Sequence, residues 1–102
     1  MALMVQIGEE SISVSTTAIG VTAAEVTTNV VMARIRCETA AVRYNLRTTT
    51  QTPTAGGSEG SPILYPDEEI EVWGQTDILR FLAVSKDGAT ATLRTQFFGS
   101  GG

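Results

Sequence analysis

Histidine is absent from this 102-residue chain, cysteine and lysine occur once each, as Cys37 and Lys86, and only 6% of the residues are aromatic. The first absence removes the commonest general base and the commonest zinc ligand. A single thiol cannot form an intramolecular disulfide, so the fold must hold by packing alone, as suits synthesis and assembly in a reducing cytosol. Serine and threonine are plentiful, but no histidine and no obvious lysine neighbour stands ready to activate one as a nucleophile. With 11 acidic residues in the chain, some pair of carboxylates is inevitable and so carries no sign of a hydrolase. The chain reads as non-enzymatic.

Metal and membrane signals are equally thin. The acidic stretch Asp67-Glu68-Glu69-Ile70-Glu71 lacks the Asp-x-Asp-x-Asp-Gly spacing that wraps calcium, and reads as a solvated strand edge. The start, Met1 to Ile7, is apolar but has no basic segment before it and runs directly into Glu9-Glu10, so neither a signal peptide nor a membrane span is expected. A net charge of −4 argues against nucleic acid as the main partner, since phosphate binding draws its affinity from clustered Lys and Arg. No cofactor, metal, membrane or small-molecule substrate is expected.

What is present points to a folded β domain. Apolar residues make up 42% and charged residues 18%, enough hydrophobicity for one core. Val, Ile and Thr are abundant, and their β-branching favours the pleated surface of a strand. From Val31 to Glu38 the pattern alternates, with Val31, Ala33, Ile35 and Cys37 on an apolar face and Met32, Arg34, Arg36 and Glu38 on the other. Cys37 therefore reads as a buried, inert thiol. After the short link Thr39-Ala40, Val42, Tyr44 and Leu46 point inward and Arg43, Asn45 and Arg47 outward, for which a hairpin is the simplest joining.

Further on, Ile70 and Val72 alternate with Glu69, Glu71 and Trp73, while Asp77 to Lys86 is apolar on both faces apart from Arg80 and reads as a central strand. Lys86-Asp87-Gly88-Ala89 supplies an Asp-Gly turn between that run and a last strand from Ala91 to Phe98, the clearest hairpin signal in the chain. Before Val31, Leu3 to Ile7, Ser11 to Ser15 and Ala18 to Thr22 are shorter strand candidates, and 22–28 has room for one helical turn. The sum is an all-β fold, a single antiparallel β-sandwich or jelly-roll-like barrel of about seven to nine short strands. Residues 1–98 form one domain, 1–7 being a strand or an N-terminal arm reaching a neighbour, and 99–102 form a flexible Gly/Ser tail.

The longest break, Thr48 to Pro62, is long for a compact domain unless it is functional or mobile, and is the first place to look for a partner. The arginines are the second. If Thr39-Ala40 is a two-residue hairpin link, Arg36 lies opposite Arg43 with Arg34 one step along the same face, and like charges directly opposed are destabilising. Glu69 and Glu71 of a neighbouring strand, an acidic partner surface, or splaying of the long stems into water would each relieve them. Trp73, on the acid-bearing face of its strand, is either an interface anchor or packed beneath the 48–62 loop, and Tyr65 beside Pro66 is a similar case. The partner-binding candidates are thus Arg34, Arg36 and Arg43, the loop residues Thr54 and Glu59, and the aromatics Tyr65 and Trp73.

A resemblance adds to this reading. Arg43-Tyr44, a Thr-rich stretch with Pro53-Thr54, then Ile70-Glu71-Val72-Trp73-Gly74-Gln75-Thr76-Asp77-Ile78, Phe81-Leu82-Ala83-Val84 and a final Ala91 to Phe98 strand resemble small virion structural proteins of tailed bacteriophages, over about the last two thirds of the chain. Asn45-Leu46-Arg47-Thr48 departs from that pattern in lacking an Asp-Gly turn. The resemblance implies a decoration or cement protein, made in the host cytoplasm and attached outside the capsid lattice. Its partners would be the major capsid protein and copies of itself. A tail, connector or fibre-associated module on the same scaffold is the alternative, and a carbohydrate-binding module using Trp73 and Tyr65 as stacking platforms a more distant one.

Overall fold

The computed structural model describes residues 4–46, 52–57 and 60–100. Within them the chain lays down β1 (Met4–Val14), β2 (Val30–Glu38), β3 (Val42–Asn45), β4 (Ile63–Leu64), β5 (Glu69–Trp73), helix α1 (Gln75–Arg80), β6 (Leu82–Ser85) and β7 (Ala91–Ser100). A short 3-10 turn at Ala23–Glu25 precedes β2, inside the stretch with room for one helical turn. The strands form two antiparallel sheets, ordered β1-β7-β2-β5 and β4-β3-β6. The protein is an all-β sandwich, with seven strands among the described residues.

Alternation decides what is buried. Ala33, Ile35 and Cys37 of β2 and Ala91, Leu93 and Phe97 of β7 are sealed from solvent, and they meet Val42, Leu64 and Ala83 of the smaller sheet in one core. Phe81 and Ile78, fully buried, fill the same space from around α1, and the Tyr44 ring stacks on Phe81 at 5.9 Å between centroids. Each such large side chain contributes roughly 1.5–3 kcal/mol of burial free energy.

Several local expectations are corrected. β2 and β3 are not a hairpin, because they lie in different sheets. At their corner Thr39 takes φ 73°, which turns the chain out of one sheet and into the other. The Asp87-Gly88 turn forms, with Gly88 at φ 84°, yet it too carries the chain across the sandwich, from β6 to β7. The run read as a strand from Asp77 is helical to Arg80, since α1 needs only one turn to drive Ile78 into the core, and the strand begins at Leu82.

At the chain start the first two candidates merge into the single long β1, its register with β7 slipping only between Gln6 and Gly8, whereas Ala18 to Thr22 forms no strand and meets β6 through the isolated Ile19–Ala83 bridge. Gly99 and Ser100, expected in the tail, instead continue β7 and pair with Val5 and Met4. Gly101, Gly102, Met1 to Leu3, Arg47 and Glu59 lie outside the described residues. So does much of the 48–62 loop.

The edge strands β6 and β5 differ in cover. β6 is shielded on one side by residues 15–19, through the reciprocal bonds Ile19 N–H to Ala83 O (2.9 Å) and Ala83 N–H to Ile19 O (2.8 Å). β5 has no such cover among the described residues.

Candidate interaction face on the four-stranded sheet

The outward face of β1-β7-β2-β5 is organised in rungs, because antiparallel register sets one residue of each strand directly opposite its neighbours. One rung runs Ser11, Arg94, Arg36, Glu69; the next Glu9, Gln96, Arg34, Glu71; the third Gln6, Phe98, Met32, Trp73. The face therefore grades from charged to apolar along the strands. Between the first two rungs lies an open groove of about 640 Å³ lined in part by Glu9, Arg34, Arg36, Glu69, Arg94 and Gln96.

The charges on this face are largely matched internally. Arg94 Nε is 3.1 Å from Glu38 Oε1, and its Nη1 donates to Ser11 Oγ at 3.2 Å. Arg36 reaches off the end of β5 to Asp67 at 3.2 Å, and Arg34 approaches Glu71 at 3.8 Å. These side chains are between about a third and four fifths exposed, so water screens each pair to at most about 1 kcal/mol. Counting the outward-facing positions, three arginines (Arg34, Arg36, Arg94) stand against four glutamates (Glu9, Glu38, Glu69, Glu71). A net demand for an acidic neighbour does not arise here.

The apolar rung is different. Met32, expected to face water, is only 2% exposed, yet it lies outside the contiguous core, flanked by Phe98 on one side and Trp73 on the other. Val31, expected inward, sits at the register slip between β2 and β7 and is 40% exposed, while Val30 takes the buried place. The guanidinium of Arg34 lies 5.2 Å from the Phe98 ring centroid, which extends the apolar rung toward the charged ones. Trp73 remains 55% exposed, its indole N–H only weakly directed at Glu71 Oε1 (3.4 Å). Met4 of β1 is exposed beyond the same end of the sheet.

Of the residues singled out from sequence, the structure brings Arg34, Arg36 and Trp73 together on this face. Arg43 is elsewhere: it belongs to β3, never opposes Arg36, and its Nε and Nη1 donate to the carbonyls of Ala55 and Ser61, each at 2.9 Å. Gly57 fits so closely against that guanidinium that a Cβ there would lie 2.4 Å from Nη1. Arg43 thus ties the carbonyls of Ala55 and Ser61 to β3. Asn45, expected outward, is buried under the same segment and donates to Ser61 Oγ at 3.0 Å.

Thr54 is exposed on this pinned segment, where its carbonyl accepts from Gly57 N–H at 3.0 Å, and Tyr65, half exposed, sits where the chain leaves β4 for β5. Neither joins the arginine face. The contributors that sequence reasoning missed are Arg94, Gln96 and Phe98. Their alternation in the last strand is legible, but not the pairing that sets them beside β2.

Cys37 is fully buried, and its thiol donates to Ala40 O at 3.0 Å. Burial pushes its pKa up, with the carboxylates of Glu68, Asp67 and Glu38 adding to the rise against an opposing backbone hydrogen bond from Val42. Burial also raises the Tyr44 phenol, with Glu68 adding to it. Among the described residues no group of three or more His, Cys, Asp or Glu side chains is placed to hold a metal ion, and no helix is long and apolar enough to cross a membrane. No protein family matches the chain, and neither a curated protein nor a solved structure matches it significantly.

Proposed function

We propose that this protein is a non-enzymatic virion structural protein of a tailed bacteriophage, a decoration protein that binds the outside of the assembled head and strengthens contacts between capsid subunits. The observation that carries the reading is the exposed Trp73 at the end of an apolar rung, with Met32 beside it and Phe98 next along the same rung. A rigid aromatic set on a flat sheet and bordered by matched charges has the make-up of an interface anchor with a polar rim. The sequence resemblance along Arg43-Tyr44, Ile70 to Ile78 and Ala91 to Phe98 supplies the kind of particle.

A carbohydrate module is disfavoured by placement: Trp73 is on the outward face of β5, whereas Tyr65 precedes that strand at the crossing from the other sheet, and the two do not make one flat platform. The test is to add the purified chain to assembled heads and to unassembled capsid subunits. It is expected to sediment with heads only, to raise their melting temperature, and to lose both effects as Trp73→Ala. Recovery solely with tail tubes or baseplates would overturn the capsid assignment and support the tail alternative.

A further inference from the structure

The free edge of β5 carries more information than its exposure. In the β2–β5 ladder, Gly74 N–H bonds to Val31 O at 2.8 Å and Cys37 N–H to Glu68 O at 2.9 Å. Antiparallel bonding alternates, so Ile70 and Val72 exchange their backbone bonds with Ile35 and Ala33. The N–H and C=O groups of Glu69, Glu71 and Trp73 consequently point the other way, out of the sheet, where no backbone partner meets them among the described residues. These are also the residues whose side chains stand on the outward face.

The occupied side of β5 shows what complements that row. Opposite Trp73, Glu71 and Glu69 stand Met32, Arg34 and Arg36, an apolar residue followed by two arginines at alternate positions. Arg36 spends its charge on Asp67, and Glu69 forms no ion pair among the described residues, so one carboxylate of the row is left unmatched. A second copy of this edge is a poor occupant: pairing β5 with itself about Glu71 sets that glutamate against its own copy, and like charges directly opposed are destabilising. The edge of β1, with Glu9, offers more of the same sign.

We propose that the β5 edge is a strand-addition site that takes an extended segment of another protein with the pattern apolar-x-basic-x-basic. The segment runs antiparallel to β5, its backbone completing the row left open at Glu69, Glu71 and Trp73. Its apolar side chain lies against Trp73 and its two cations against Glu71 and Glu69. Backbone bonds supply the affinity and the alternate side chains the selectivity. The proposal rests on the assembly reading for its biological setting, naming the chemistry by which a capsid or neighbouring virion protein would be recognised, but its test needs no particle.

The probe is a capped synthetic peptide, Thr-Met-Thr-Arg-Thr-Arg-Thr, titrated into the full 15N-labelled chain. The expected result is a set of amide shift changes centred on Glu69, Glu71 and Trp73, slowed hydrogen exchange there, and affinity that falls as salt rises. Glu69→Lys with Glu71→Lys is expected to weaken binding by about tenfold or more and to make the peptide with Glu in place of Arg the better ligand. Glu71→Pro removes an N–H that faces solvent and not β2, and is expected to abolish binding by either peptide while the remaining spectrum stays folded.

Equal binding of the Arg and Glu peptides, shifts confined to β1 or the arginine groove, or no binding by the unmodified chain would each overturn the proposal. Heads that bind the chain while the peptide does not would sink the strand-addition site alone. Peptide binding without head binding would sink the capsid reading alone.

Discussion

Arg36 and Arg94 stand directly opposite each other across β2 and β7, and each is drawn aside by a different carboxylate, Asp67 for the first at 3.2 Å and Glu38 for the second at 3.1 Å. The sheet tolerates a like-charge pair at its centre because each guanidinium has a carboxylate of its own, Glu38 on β2 for Arg94 and Asp67 just before β5 for Arg36. Removing one arginine also removes the repulsion, so Arg94→Gln is expected to change stability by less than about 0.5 kcal/mol. Glu38→Gln leaves the repulsion and takes away one of its remedies, for an expected loss of about 0.5–1 kcal/mol. Urea denaturation of the two variants and their double mutant at low and high salt measures the coupling, which is expected to shrink as salt rises.

Gly99 is a packing requirement. A Cβ at this position would lie 2.2 Å from the backbone oxygen of Asn29 and 2.6 Å from Ile7 Cδ1. The backbone contact cannot yield by a rotamer change, so Gly99→Ala is expected to cost roughly 1–3 kcal/mol. Thermal unfolding of Gly99→Ala beside the unmodified chain checks this.

Thr39 holds a left-handed backbone at φ 73°, a conformation that its β-branched side chain disfavours. Asparagine adopts that region more readily, and Thr39→Asn is expected to stabilise the fold by up to about 1 kcal/mol, less what is lost with the Thr39 hydroxyl, which donates to Glu38 O at 2.6 Å with Thr90 O a more distant acceptor at 3.3 Å. Differential scanning calorimetry of Thr39→Asn beside Thr39→Val, which keeps the strain and loses the hydroxyl, separates the two effects.

Cys37 and Tyr44 set the alkaline limit. Both ionise at higher pH in the folded chain than in the unfolded one, so the unfolded chain gives up its protons first as pH rises. Their contribution is whole below the ordinary thiol and phenol ranges and is lost as pH climbs through the raised values. Stability is expected to be flat from neutral pH to about 8 and to fall beyond roughly pH 9. Cys37→Ser should leave the Tyr44 part of that fall, and iodoacetamide should label Cys37 in the native chain far more slowly than in urea.

How much of the fold is legible in the sequence depends on what alternation can encode. The face of each residue is readable for Ala33, Ile35, Cys37, Ile70 and Val72, because a period of two separates inside from outside whatever the strand pairs with. Partners are not. A two-residue link at Thr39-Ala40 and an Asp-Gly turn at Asp87-Gly88 both look like hairpins, yet both are corners between sheets, a difference set by the packing of Val42, Ala83 and Leu93 into one core. The link alone therefore sets Arg36 against Arg43, where the folded sheet sets it against Arg94.

Helix α1 escapes for another reason. Six residues are too few to show a helical period, and Ile78, Leu79 and Phe81 look as strand-like as helical in isolation. Met32 reveals a third limit: its outward phase is readable, but not that it is 2% exposed there, between the cross-strand neighbours Phe98 and Trp73 that only the register supplies.

The most direct measurement is a cryo-electron microscopy reconstruction of intact particles carrying this protein. Density for the seven-stranded domain is expected on the outer head surface, with the Trp73 end of the four-stranded sheet against the lattice and an extended segment of a neighbour lying along β5. Density on the tail alone, or on the head with that face turned to solvent, would contradict the account.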